Sequence, residues 1–211
     1  MSNSRVIAVV YRLAFAGMSL AALLTQLFAV QVANGWSIVS FFSYFTILGN
    51  LIASIVFIVS AVRVVQGRVS STSDVAIRGG SVVYMVFVGI VFAGLLRDTD
   101  LGALIPWVNI AHHYVMPIVV LLDWIIWPPQ RRLPWRVIPL WMIFPAVYVV
   151  YSLIRGAAIG FYPYPFFNPG VQDGYGGVAL YCAILLVAFV VIAIGVRAIG
   201  NARARPLPAS A

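Results

Sequence analysis

Residues 177–199 read GVALYCAILLVAFVVIAIGVRAI, with a single charged side chain, Arg197, near the far end. A helix that crosses a bilayer needs roughly 20 mostly apolar residues. A membrane β-strand would instead alternate apolar and polar residues over about ten positions, and this stretch does not alternate. It reads as a spanning helix. Five comparable runs precede it: Val6–Val30, Ser37–Val62, Ile77–Leu96, Leu104–Trp127 and Val137–Ile154. The expected fold is therefore all-α, an integral membrane bundle of six transmembrane helices over residues 1–200. A disordered, Pro- and Ala-rich tail is expected at 201–211.

Composition points the same way. Of 211 residues, 63% are hydrophobic and 9% charged, against about a quarter charged in an ordinary soluble domain. Mean hydropathy is +1.04. All 13 basic residues are Arg and all 5 acidic residues are Asp, for a net charge of +8. On a soluble chain that balance would suggest nucleic acid. Here the arginines lie between apolar segments, where membrane proteins carry topology signals, so no nucleic-acid partner is expected. The lone cysteine, Cys182, has no intrachain disulfide partner and reads as a packing residue. The first apolar run lacks a small-residue cleavage site behind it and reads as a retained helix.

The arginines also orient the bundle. Arg5 precedes the first helix, Arg63, Arg68 and Arg78 flank the second loop, Arg131, Arg132 and Arg136 fill the fourth, and Arg197, Arg203 and Arg205 close the chain. The other loops hold Arg97, offset by Asp98 and Asp100, and Arg155 at the start of the longest connection, Gly156–Gly176. Basic loops stay cytoplasmic, so both ends are expected inside. Trp36, Trp107, Trp127 and Trp135 fall near the expected boundaries, as an aromatic belt would. In the long connection, Pro163 and Pro165 of the run Tyr162–Phe166 rule out a helix interior. That run reads either as an interfacial aromatic loop or as a cap on the outer mouth.

Polar groups within the spans are costly and tend to face protein or a cavity. Ser43, Thr46, Asn50 and Ser54 recur at helical spacing on one face of the second helix. The fourth carries Asn109, His112 and His113, whose adjacent rings point about 100° apart. Thr46 lies about ten residues from Trp36, or about 15 Å, and His113 lies about 14 Å in from Leu104. Both are near the middle of a core about 30 Å thick. A hydroxyl beside an imidazole is the smallest set for nucleophilic acyl transfer, although several hydroxyls share this height. Asp123 is about 15 Å further along from His113, too far to orient it. It is expected to pair with Arg12 instead, since each is costly alone. Tyr148, Tyr151, Ser152 and Arg155 cluster on the fifth helix. Arg155 reads as a snorkelling interfacial cation or as a clamp for a lipid head group or fatty-acid carboxylate.

Several segments together resemble a known family: Phe45-Thr46-Ile47-Leu48-Gly49-Asn50, His113-Tyr114-Val115-Met116-Pro117, Asp123-Trp124, and Arg155-Gly156 followed by Tyr162-Pro163-Tyr164-Pro165-Phe166. They resemble bacterial six-helix membrane proteins related to the eukaryotic androgen-induced family, which includes the androgen-dependent TFPI-regulating protein. The resemblance runs over essentially all six helices. It implies an intramembrane threonine hydrolase of fatty acid esters of hydroxy fatty acids, placed in a bacterial inner membrane. Thr46 corresponds to the family's threonine. For the histidine, counting back from the acidic residue selects His113 and counting back from the proline selects His112. The His-Tyr-x-x-Pro pattern favours His113.

The expected function is hydrolysis of lipid (fatty acid) esters by a Thr46–His113 dyad. Asn50, Asn109 and His112 are possible polar or oxyanion support, and Arg155 and Tyr151 are possible substrate head-group contacts. The alternatives are a transporter or channel, and a lipid-binding scaffold. No cofactor or metal is expected. There is no CxxCH and no phosphate-binding glycine fingerprint, and one Cys without any Glu leaves few zinc ligands.

Overall fold

In a computed structural model, residues 2–100 and 102–204 form a helical bundle without a β-strand among them. The helices are α1 (Asn3–Val32), α3 (Phe45–Val65), α4 (Thr72–Leu96), α5 (Pro106–Ile126), α6 (Val137–Ile159) and α7 (Tyr175–Arg203), with a short α2 (Ile38–Phe41) between the first two. All six long helices are apolar and long enough to cross a membrane. They carry large exposed apolar side chains, such as Ile154 at 65% and Val187 at 64% exposure, outward on α6 and α7. Lipid is the solvent that suits such a surface, and the chain is a multi-pass membrane protein.

Local chemistry sets the helix ends. Ser71 and Asp74 form a reciprocal capping box at the start of α4, satisfying backbone donors that a helix start leaves open. Pro106 sits in the first turn of α5, where its missing N–H costs nothing. Gly160, at φ 72°, closes α6 in the left-handed region, which glycine adopts without a side-chain clash.

Several boundaries differ from the sequence expectation; the third span, for one, begins at Thr72 and not Ile77, with Arg78 within the helix. The second span begins at Phe45, not Ser37, because Ser37 caps the separate short helix α2 by accepting from Ser40 N–H. The fifth span runs on to Ile159, so Arg155 is helical and the long connection begins later. The last helix continues through Arg203, taking in the first residues of the expected tail; residues 205–211, Arg205 included, lie outside the described residues.

Helix α4 is central and packs against α3, α5 and α7, while α1 lies along α3. The core of the half nearer the chain ends is built on Phe57, Met85, Met116 and Trp124. Trp124 lies against Gly200, and Trp141 lies across Gly79 and Gly80, where a Cβ would overlap its ring. The expected Arg12–Asp123 pair is present at 2.8 Å, and a second cation, Arg78, binds the same carboxylate at 2.7 Å. Trp127 Nε1 donates to Ser4 Oγ and Arg203 Nε to the Ile125 carbonyl, so both chain ends share one end of the bundle.

The opposite end is aromatic. Tyr164, Phe166 and Phe167 of the 160–174 connection are buried with Phe45 and Tyr148. Of the two readings of this segment, the structure shows the cap: its side chains plug the bundle. Gly156 lets it do so, since a Cβ there would enter the Tyr162 ring.

Candidate functional site

The first backbone N–H groups of a helix have no partner inside it. At the start of α3 two phenols supply them from elsewhere in the chain. Phe45 N–H donates to the Tyr148 hydroxyl and Thr46 N–H to the Tyr164 hydroxyl, each at 3.2 Å. Thr46 is thereby fixed in the first turn of α3, not at the middle of a longer helix as its distance from Trp36 suggested. Its Oγ1 lies 3.4 Å from the same Tyr164 hydroxyl. Burial pushes the Tyr164 phenol up to about 12, so it keeps its proton and has one to donate.

The two histidines lie on a wide π-type turn, Ala111–Val115, within α5. Similar turns end α1 at Leu27–Val32 and α4 at Phe92–Leu96. Such turns recur at functional sites because they redirect side chains out of the regular helical register. Here residues of all three, Gln31, Leu96, His112 and His113, border one cavity of about 440 Å³. Thr46, Tyr44 and Tyr164 line it as well.

Hydrogen bonds assign the ring tautomers, because a carbonyl oxygen can only accept. His113 Nδ1 lies 2.7 Å from Asn109 Oδ1 and must carry the proton there. Its Nε2 is left with a free lone pair and no bonded partner among the described residues. The ring stacks on Phe92 at a centroid distance of 3.9 Å. His112 is used differently: its Nε2 donates to the Ser19 carbonyl at 3.2 Å, tying α5 to α1. Asn109 thus orients one histidine, and the other joins two helices.

Asn50 lies one turn along α3 from Thr46, as expected, and of its two expected roles the hydrogen bonds fit polar support. It is fully buried, and its amide donates to the carbonyls of Thr46 at 2.9 Å and His112 at 3.4 Å. Ser19 Oγ donates to its Oδ1 at 3.4 Å. With both amide hydrogens spent on backbone, Asn50 joins helices and has no donor left for an oxyanion. Ser54 Oγ donates to the Asn50 carbonyl, and Ser43 Oγ shares a hydrogen bond with the Tyr151 hydroxyl at 2.7 Å. Arg155 Nη2 donates to Ser40 Oγ at 2.9 Å and stacks over Phe161 at 5.2 Å. Ser40 and Phe161 border the cavity, so Arg155 stands behind its wall. Asp123 is held by Arg12 and Arg78 and does not orient His113.

A second, apolar chamber of about 130 Å³ shares Thr46, Tyr164 and Leu96 with the first as walls. Its walls are Phe45, Phe87, Ala146, Phe166, Cys182 and Phe189, among others. Thr46 is therefore shared between a chamber with imidazoles and one without polar side chains apart from its own hydroxyl and three phenol or thiol groups. Tyr164 is the partner that the sequence did not single out; its burial inside a Pro-rich aromatic run, Tyr162–Phe166, was the signal available.

Comparisons of the chain with protein-family models, with curated proteins and with solved structures find no match.

Proposed function

We propose that the protein hydrolyses lipid esters inside the membrane, with Thr46 as nucleophile and His113 as base. The observation that supports this reading is that Thr46 lines two chambers, one walled also by His113 and the other apolar. The first suits proton transfer and water, the second an acyl chain. The resemblance of the Phe45–Asn50 and His113–Pro117 segments to the androgen-induced family also supports it.

In this mechanism Thr46 Oγ attacks the ester carbonyl carbon as His113 Nε2 takes its proton. The tetrahedral adduct collapses, the alcohol leaves with the proton from His113, and an acyl-threonine is formed. Water then attacks that acyl group, giving its proton to His113, and the fatty acid departs as Thr46 regains its hydrogen. Tyr164, protonated and within reach of the attacking oxygen, takes the oxyanion role in place of Asn50. Tyr164→Phe is expected to lower kcat by about 10²–10³-fold with little change in KM. An unchanged kcat would remove Tyr164 from the chemistry.

The direct test is release of fatty acid from a panel of lipid esters by purified protein. A chamber of about 130 Å³ admits roughly four water-sized groups, enough for a short stretch of acyl chain. Ala146→Phe, which fills it, is expected to shift preference towards shorter acyl groups. The same length profile in variant and parent would move the acyl chain elsewhere. A lipid-binding protein without turnover would use the same chambers but release no acid. An aqueous channel has less support, since Phe57, Met85, Met116 and Trp124 lie between the cavities at the two ends.

A further inference from the structure

At the end of the bundle that carries the chain termini lies a third cavity, of about 580 Å³. Five arginines line it: Arg5 and Arg12 from α1, Arg63 from the last turn of α3, Arg68 from the loop after it, and Arg78 from α4. Against them stand two carboxylates, Asp74 in the wall and Asp123 behind it. Arg63 pairs with Asp74. Arg12 and Arg78 both bind Asp123, which is 1% exposed. Two cations on one anion leave an unbalanced positive charge at a depth where charge is poorly solvated. Arg12 bonds Asp123 through Nε and Nη2, and Arg5 and Arg68 form no ion pair among the described residues.

A topology signal needs arginines only on the correct side of the membrane. It does not require residues from three helices to converge on one concavity. Orientation alone leaves the arrangement unexplained, and an anion resolves the charge imbalance. Ser4 and Ser60 add hydroxyl donors to the wall. The first turn of α1, which has no acidic residue, adds the positive end of a long helix. Forked guanidinium donors match the oxygens of a phosphate.

We propose that this cavity binds a phosphate group carrying net negative charge. Helices α1, α3, α4 and α5 all begin or end around it, at the level of a lipid head group, so a membrane phospholipid is one source and a soluble phosphate the other. The site is separate from the Thr46 cavity and does not depend on the hydrolase reading.

The test is thermal unfolding of the full chain in neutral detergent, followed by tryptophan fluorescence, with added phosphatidylglycerol, phosphatidylcholine or inorganic phosphate. A saturable rise in Tm with phosphatidylglycerol, and little with phosphatidylcholine, is expected. Arg5→Gln/Arg68→Gln should weaken the apparent affinity roughly tenfold or more, with Arg68→Gln alone showing part of that loss. Arg132→Gln/Arg136→Gln, which makes the same change of charge outside the cavity, should leave the affinity intact. An equal response to inorganic phosphate, lost in the same variants, supports the site and identifies a soluble ligand. The proposal is overturned if neither phosphate source raises Tm, if phosphatidylcholine acts as strongly as phosphatidylglycerol, or if both double variants weaken binding alike.

Discussion

Thr46→Ala is expected to lower lipid-ester turnover by at least ~10³-fold and to abolish labelling by a fluorophosphonate probe, with the bundle still folded. The substitution removes the oxygen proposed to attack the ester together with one methyl, from a side chain that is 8% exposed. The backbone bond from residue 46 N–H to Tyr164 does not depend on the side chain. Thr46→Ser keeps the hydroxyl and should retain labelling. His113→Gln is expected to lose about 10²–10⁴-fold, the usual share of a general base. His112→Gln should chiefly lower stability, because the His112 ring is committed to the Ser19 carbonyl. Full turnover and labelling in Thr46→Ala would end the threonine mechanism. A larger kinetic loss in His112→Gln than in His113→Gln would transfer the base to the neighbouring residue.

Asp123→Leu is expected to produce the largest stability loss of any single substitution here, about 3–5 kcal/mol. Its carboxylate receives Nε and Nη2 of Arg12 and Nε and Nη2 of Arg78. Removing it leaves two guanidiniums facing each other in a poorly solvated layer with no counter-charge. Arg78 keeps its bonds to the carbonyls of Asp123 and Trp127, which limits the damage but does not cancel the charge. The measurement is the unfolding midpoint in detergent for Arg12→Leu, Asp123→Leu and the double variant. Coupling predicts a double variant less damaged than the sum of the singles. Strict additivity would mean that the short distances carry no net interaction.

Axial distance was the legible quantity in this chain. Counting along α5 separated Asp123 from His113 and brought it to the level of Arg12, and the two are bonded. The same counting misjudged Thr46, because it presumed an unbroken helix from Ser37. The break is not a propensity effect that a residue count reveals. It follows from Ser37 capping α2 and from phenols on Tyr148 and Tyr164 that hold the first donors of α3. Arg78 was legible as a loop arginine but not as the second partner of Asp123. Its position at the start of α4 gives its height, whereas the partner depends on how α4 is rotated towards α5.

The sequence by itself determined the six-helix membrane architecture, because apolar run length and scarce charge leave lipid as the only suitable solvent, and it placed Thr46, Asn50, His112 and His113 within the spans. Only the tertiary structure decided what those side chains do. Asn50 became a bridge between helices, His112 a tie to α1, and His113 a ring with one nitrogen free. Tyr164, 118 residues from Thr46, became the partner of both its hydroxyl and its backbone N–H. The physical reason is that helical periodicity conveys height and relative angle along one helix. The rotation of each helix against its neighbours, and the descent of a loop into the bundle, are set by packing between segments far apart in the chain.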